Sequence, residues 1–151
     1  MFYPKFINLD IEVNNEQQLF DLVGTEVIES KFANSGYISG LKERELVYPT
    51  GLQFAELSIA LPHVDSKYIL RPFIYVARNK VDIKVRQMGD GRDMKTKNFL
   101  FLGLKDSTKQ PKLLANIISS LQNSEFVNSF LSTNEETEML KLLQETFNKN
   151  E

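Results

Sequence analysis

From Ile7 to Val13 the chain alternates, with Ile7, Leu9, Ile11 and Val13 on one side and Asn8, Asp10 and Glu12 on the other. That is the period-two pattern of a half-buried strand. Asn14 and Asn15 then offer a helix cap, and Leu19, Leu22 and Val23 recur at helical spacing up to Gly24. The glycine predicts a C-terminal stop there, with a second helix over 25–32. Gly36 breaks the chain again, and Tyr37, Leu41 and the polar run Lys42-Glu43-Arg44-Glu45 predict a third short helix that ends before Pro49.

The middle of the chain is β-like. Leu57 to Leu61 alternates, Ile74 to Ala77 is nearly all apolar and β-prone, and Val81 to Arg86 alternates again. Gly89-Asp90-Gly91 supplies a flexible connection to a run from Asn98 to Leu104, which reads as a strand buried on both faces and hence covered by helices on either side. The last third is helical. Leu113, Leu114, Ile117, Ile118 and Leu121 form one stripe, and Phe126, Val127, Phe130 and Leu131 form a second. Thr133 with Glu136 reads as a capping box opening a final amphipathic helix that carries Met139, Leu140, Leu143 and Phe147. The pattern predicts a mixed α+β (α/β) three-layer sandwich, in which a mixed sheet of about five strands is flanked by helices on both faces. No repeat, low-complexity run or linker divides the chain, so residues 1–151 are expected to form a single domain.

Composition narrows the chemistry. With 151 residues, 42% of them hydrophobic, the chain is long enough to fold without a disulfide or metal staple. There is no cysteine, which excludes a thiol nucleophile, a redox pair and any Cys-based metal site. A single histidine, His63, excludes any site built on two imidazoles. A formal charge of -2 provides no broad basic field for nucleic acid. The densest apolar stretch, Phe99 to Leu104, is far shorter than the ~20 residues that span a bilayer, and the N-terminus lacks the basic and apolar segments of a leader. The expectation is a soluble, cytoplasmic protein with no direct membrane insertion.

Pro62 offers no N–H to a ladder and holds Leu61 extended, so the strand beginning near Leu57 should stop just before His63. That places the imidazole at a strand end, where α/β sheets commonly bind ligands, although a surface histidine without a role fits the same position. Asp65 invites a Ser-His-Asp relay, but no GxSxG elbow singles out a serine, and no HExxH spacing supports a metal site. Nucleophilic catalysis by the ring itself needs least, because an imidazole of ordinary pKa near 6.5 is largely uncharged at neutral pH and carries a free lone pair.

Arg44-Glu45, then Tyr48-Pro49-Thr50-Gly51-Leu52, then Ile59-Ala60-Leu61-Pro62-His63-Val64-Asp65 resembles the phosphorylation-site region of enzyme IIA proteins of the bacterial phosphoenolpyruvate-dependent sugar phosphotransferase system, fructose–mannitol group. The Pro-Thr-Gly-Leu and Leu-Pro-His-Val-Asp wording is most similar to the galactitol-type branch. Gln87-Met88-Gly89, Phe99 to Leu102 and Ser124-Glu125-Phe126 follow in family-like order, so the resemblance covers most of the chain. It implies that His63 accepts a phosphoryl group on Nε2 from the phosphohistidine of the carrier protein HPr. The group would then pass to a cysteine of the sugar-specific enzyme IIB, and through it serve the membrane enzyme IIC. Neither a cofactor nor a metal is implied.

The same resemblance makes Arg44 the family's arginine, whose planar fork suits phosphate oxygens, against the alternative of one more charge on a solvated helix face. Thr50 either donates its hydroxyl to the phosphate or caps a turn after Pro49. Where mannitol- and fructose-type members often carry a second histidine, the matching residue here is Gln110; it either hydrogen-bonds the phosphate or is an exposed residue of a first helical turn. Asp65 either accepts from the ring's Nδ1–H or closes an Asx turn. Leu52, Phe54 and Val64 are candidate apolar contacts for the protein partners, or else core. A regulatory relative of the same fold, whose phosphorylation state governs a non-transport partner, is the competing reading.

Overall fold

A computed structural model describes residues 1–106, 108 and 110–147, without the side chain of Gln110. Five strands form one sheet in the order β1-β4-β5-β3-β2: β1 (Phe2–Ile11), β2 (Gly51–Gln53), β3 (Ser58–Ala60), β4 (Phe73–Arg86) and β5 (Asp93–Gly103). β1 runs parallel to β4 and β3 parallel to β5, while β4–β5 and β2–β3 are antiparallel. The sheet is therefore mixed, as the pattern predicted. Helices α1 (Glu16–Glu29) and α2 (Tyr37–Val47) cover one face; α3 (Gln110–Ser120), α4 (Ser124–Ser132) and α5 (Glu136–Phe147) cover the other.

Two apolar layers hold the sandwich together. On the α1/α2 side, Phe6, Phe32, Phe73 and Tyr75 pack ring against ring between Val23, Val27 and Leu41. On the other side Ile74, Val76, Leu100 and Leu102 meet Ile117, Val127, Phe130, Met139 and Leu143. Each of the two central strands contributes to both layers, which is why the runs 74–77 and 99–102 are uniformly apolar. β1 begins at Phe2, upstream of the alternation at 7–13, and Phe2 stacks on Phe147 of α5.

Local expectations fail where a residue has two physical uses. Gly24 does not end a helix; α1 runs through it, and a Cβ there would lie 2.3 Å from Cγ1 of Ile38 in α2. The glycine permits a close helix crossing, and one helix replaces the expected two. Asn15 caps α1 as expected, accepting from the Gln18 N–H at 2.9 Å. Residues 74–77 and 81–86 belong to a single long β4 whose pairing with β5 shifts register between Arg78 and Ile83. Thr133 does not cap α5. It closes α4, its hydroxyl donating to the Ser129 carbonyl at 2.6 Å. Short β2 carries no apolar alternation and was not expected. Gly51 at its start lies so near β4 that a Cβ would come 2.5 Å from the Arg86 carbonyl oxygen. Gly89 and Gly91, both at positive φ, make the β4–β5 turn.

Candidate functional site

β3 ends at Ala60, and the segment after it stays beside β5: the Leu102 N–H donates to the Pro62 carbonyl at 2.9 Å, and His63 bridges Leu102. Proline, unable to donate, ends the ladder while its carbonyl still accepts. His63 is thus fixed at the carboxyl end of a strand, half-buried, on a cleft of about 280 Å³ lined by Arg44, Asp65, Leu102, Leu104, Pro111 and Leu114.

The ring's two nitrogens are differentiated by their surroundings. Nδ1 lies 2.7 Å from the Leu61 carbonyl, which can only accept, so Nδ1 carries the proton. The lone pair is left on Nε2. Arg44 Nη2, reaching from α2, stands 3.4 Å from that Nε2. Burial holds the imidazole pKa below its usual 6.5; Leu61 works against this, Arg44 adds to it and Asp65 opposes it. The result is a neutral imidazole at neutral pH with a defined nucleophilic nitrogen.

Arg44 joins the remaining parts. Its Nη1 is 3.4 Å from Asp65 Oδ1, its guanidinium lies 5.3 Å from the Tyr48 ring, and its buried Nε has no hydrogen-bond partner. Asp65 consequently fills neither expected role. Its carboxylate faces Arg44 instead of Nδ1–H, and it makes no side-chain cap at the turn that follows.

Thr50 is buried, and its hydroxyl donates to Glu45 Oε1 at 2.7 Å while its N–H donates to Glu45 Oε2 at 2.7 Å. The hydroxyl proton expected for a phosphate is therefore already committed to Glu45. Gln110 begins α3, whose residues Pro111 and Leu114 line the cleft; its side chain lies outside the described residues. Val64, 2% exposed, is core, and Leu52 and Phe54 pack partly against the core layer under α3–α5. Next to Arg44 at the end of α2, the apolar side chains of Leu46, Val47 and Tyr48 do face solvent, 68%, 67% and 62% exposed. The sequence signal for them was the apolar pair closing an otherwise polar helix end beside Arg44.

A nucleophilic imidazole with a guanidinium at its free nitrogen is the equipment of a protein that accepts and hands on an anionic group. The family model described as "Phosphoenolpyruvate-dependent sugar phosphotransferase system, EIIA 2" matches residues 1–146, and the chain belongs to that family of phosphotransferases, which carry a phosphohistidine intermediate. The galactitol-specific EIIA component of the phosphotransferase system of Escherichia coli K12 is 24% identical over 127 residues, 84% of this chain and 85% of that protein. Among solved structures, enzyme IIA mannitol in its complex with phosphorylated enzyme IIB from Escherichia coli matches with a TM-score of 0.76 at 15% identity, over 96% of this chain and 99% of that one. The nitrogen regulatory protein IIA-Ntr from Neisseria meningitidis matches with a TM-score of 0.76 at 19% identity, over 94% and 95%. These structural likenesses are likenesses of fold. Among the described residues no helix is long and apolar enough to cross a membrane, and no group of three or more acidic or histidine side chains could hold a metal ion.

Proposed function

We propose that this protein is a phosphocarrier in which Nε2 of His63 takes a phosphoryl group from the phosphohistidine of HPr and passes it to a cysteine of an enzyme IIB, during uptake of a sugar or sugar alcohol of the galactitol type. The observation that carries the reading is the Leu61 carbonyl at Nδ1, which leaves Nε2 as the nucleophile facing Arg44. In the accepting step the Nε2 lone pair forms the new N–P bond as the donor's N–P bond breaks, and the donor nitrogen keeps the electron pair. The product ring retains its Nδ1–H, and its formal positive charge is met by the Leu61 carbonyl. Arg44 balances the charge on the equatorial phosphoryl oxygens, the main help such a transfer needs. Delivery to enzyme IIB reverses these roles.

Both partners must reach the same nitrogen, so they use overlapping surfaces. Leu46, Val47 and Tyr48 beside Arg44 suit short-lived apolar docking of modest area. The galactitol-specific relatives favour transport over the regulatory reading. Incubation with phosphoenolpyruvate, enzyme I and HPr should give one acid-labile phosphoryl group per chain, which a cognate enzyme IIB then removes. A phosphorylated protein that passes its group to no enzyme IIB would contradict the transport role.

A further inference from the structure

Arg44-Glu45 and Pro49-Thr50-Gly51, the two motif halves that precede the histidine, interlock. Consecutive residues of α2 point to different surroundings, so while Arg44 reaches His63, Glu45 turns inward and is buried. Its carboxylate spans both donors of Thr50, the N–H and the hydroxyl, closing the chain over Pro49. Gly51 then passes against the Arg86 carbonyl with no room for a Cβ. From the same end of β4 the Arg86 guanidinium returns to α2, Nη2 donating to the carbonyls of Leu46 at 2.7 Å and Glu45 at 3.3 Å. Those carbonyls belong to the last turn of α2, where no helical N–H follows to satisfy them. The end of the helix that carries Arg44 is thus anchored twice, by a carboxylate to the turn after it and by a guanidinium to the sheet.

We infer that Glu45 is a positioning residue for phosphoryl transfer: its hydrogen-bonded strut to Thr50 fixes the end of α2 so that Arg44 stands at Nε2 of His63. The inference rests on the phosphocarrier reading and adds to it a residue that touches neither the imidazole nor the transferred group. The strut needs an acceptor for the Thr50 N–H and a hydrogen-bond partner for its hydroxyl, which accepts from an amide as readily as it donates to a carboxylate. It does not need a net charge, because burial already raises the Glu45 pKa, with Thr50, Arg86 and Arg44 opposing. A side chain of the same shape should therefore replace it, whereas an apolar one should not.

The test uses the full chain with phospho-HPr, comparing Glu45→Gln, Glu45→Leu and Thr50→Val by single-turnover transfer and by NMR titration of the one histidine. Glu45→Gln should transfer within about two-fold of the parent protein, and Glu45→Leu should lose about ten-fold or more in the transfer step with little change in the apparent KM, since a displaced guanidinium costs orientation. In Glu45→Leu the His63 midpoint should rise toward 6.5, because Arg44 is one of the groups holding it down. Because burial also holds this midpoint down, the shift is read together with recovery of both transfer and midpoint in Glu45→Gln, a shape-matched rescue that a general loss of packing would not single out. If Glu45→Leu fails to fold, Thr50→Val, which removes a single hydroxyl link, decides, with a loss of a few-fold and the same upward shift expected. Parent-like transfer and an unmoved midpoint in the folded variants would overturn the inference, as would equal losses in Glu45→Gln and Glu45→Leu. Absence of phosphate on His63 in the parent protein would instead overturn the phosphocarrier reading itself.

Discussion

Arg44 Nη2 stands 3.4 Å from Nε2 of His63, the nitrogen that the Leu61 carbonyl leaves unprotonated. The pair comes from α2 and from the end of β3, and it sets what the site can do. Replacing Arg44 with lysine keeps a charge but loses the planar fork and the second contact to Asp65. Transfer to His63 should slow by about ten-fold or more in Arg44→Lys, and further in Arg44→Gln. Rapid-quench transfer from phospho-HPr measures both.

The depressed His63 pKa fixes the pH behaviour. The ring stays neutral to a pH below 6.5, so acceptance of the phosphoryl group should remain flat as pH falls through 6.5 and decline only below it. For stability, the unfolded ring protonates first. The contribution of His63 is therefore fully present above the unfolded value of 6.5 and is lost as pH falls through the lower folded value. Arg44→Gln should move the NMR midpoint upward, since a nearby positive charge is removed; an unchanged or lower midpoint would contradict the geometry.

Glu16 makes the opposite prediction. Burial, then the neighbouring Glu45, raise its pKa to about 8 against the opposing pull of Arg86, and Oε2 is buried without a partner beside a cavity of about 60 Å³. A raised folded pKa means that the stability it contributes is full below the unfolded value of 4.5 and drains away as pH rises through about 8. Glu16→Gln should flatten that loss and gain about 1–3 kcal/mol at alkaline pH. Urea unfolding at pH 5 and pH 9 checks it.

Gly24→Ala separates two uses of glycine. Helix propensity alone would favour alanine by roughly 1 kcal/mol. The new Cβ, however, meets Ile38 at 2.3 Å, and overpacking costs about 1–3 kcal/mol, so the variant should be less stable than the parent protein. A higher urea midpoint for Gly24→Ala would contradict the close crossing of α1 and α2.

The apolar end of α2 carries a prediction of another kind. Val47 is exposed, so Val47→Asp should leave the thermal midpoint nearly unchanged, yet it should weaken productive encounter with HPr and enzyme IIB, visible as a raised apparent KM. The same substitution at buried Val64 should instead unfold the protein.

What could be read from sequence follows from what each pattern physically encodes. The layered mixed sheet was legible because runs such as 74–77 and 99–102 are apolar only if both faces are covered. The place of His63 was legible because Pro62 must end a ladder. Gly24 misled because a glycine that ends a helix and one that admits a neighbouring helix look alike. Thr133 misled because a hydroxyl between two helices can bond backward to Ser129 as well as forward. β4 looked like two strands because its register shift interrupts the alternation. Within the site, family wording paired Arg44 with His63, which spacing alone would not do across 19 residues and a change of element. That Glu45 takes the Thr50 hydroxyl, and that Asp65 faces Arg44, depends on side-chain directions that no local pattern carries.

The central claim is tested most directly by phosphorylation of the protein with phosphoenolpyruvate, enzyme I and HPr, followed by intact-mass measurement at neutral pH and after acid treatment. One added phosphoryl group, lost in acid and absent from a folded His63→Ala protein, is the predicted result. No added group on the parent protein, or the same group on His63→Ala, would contradict it.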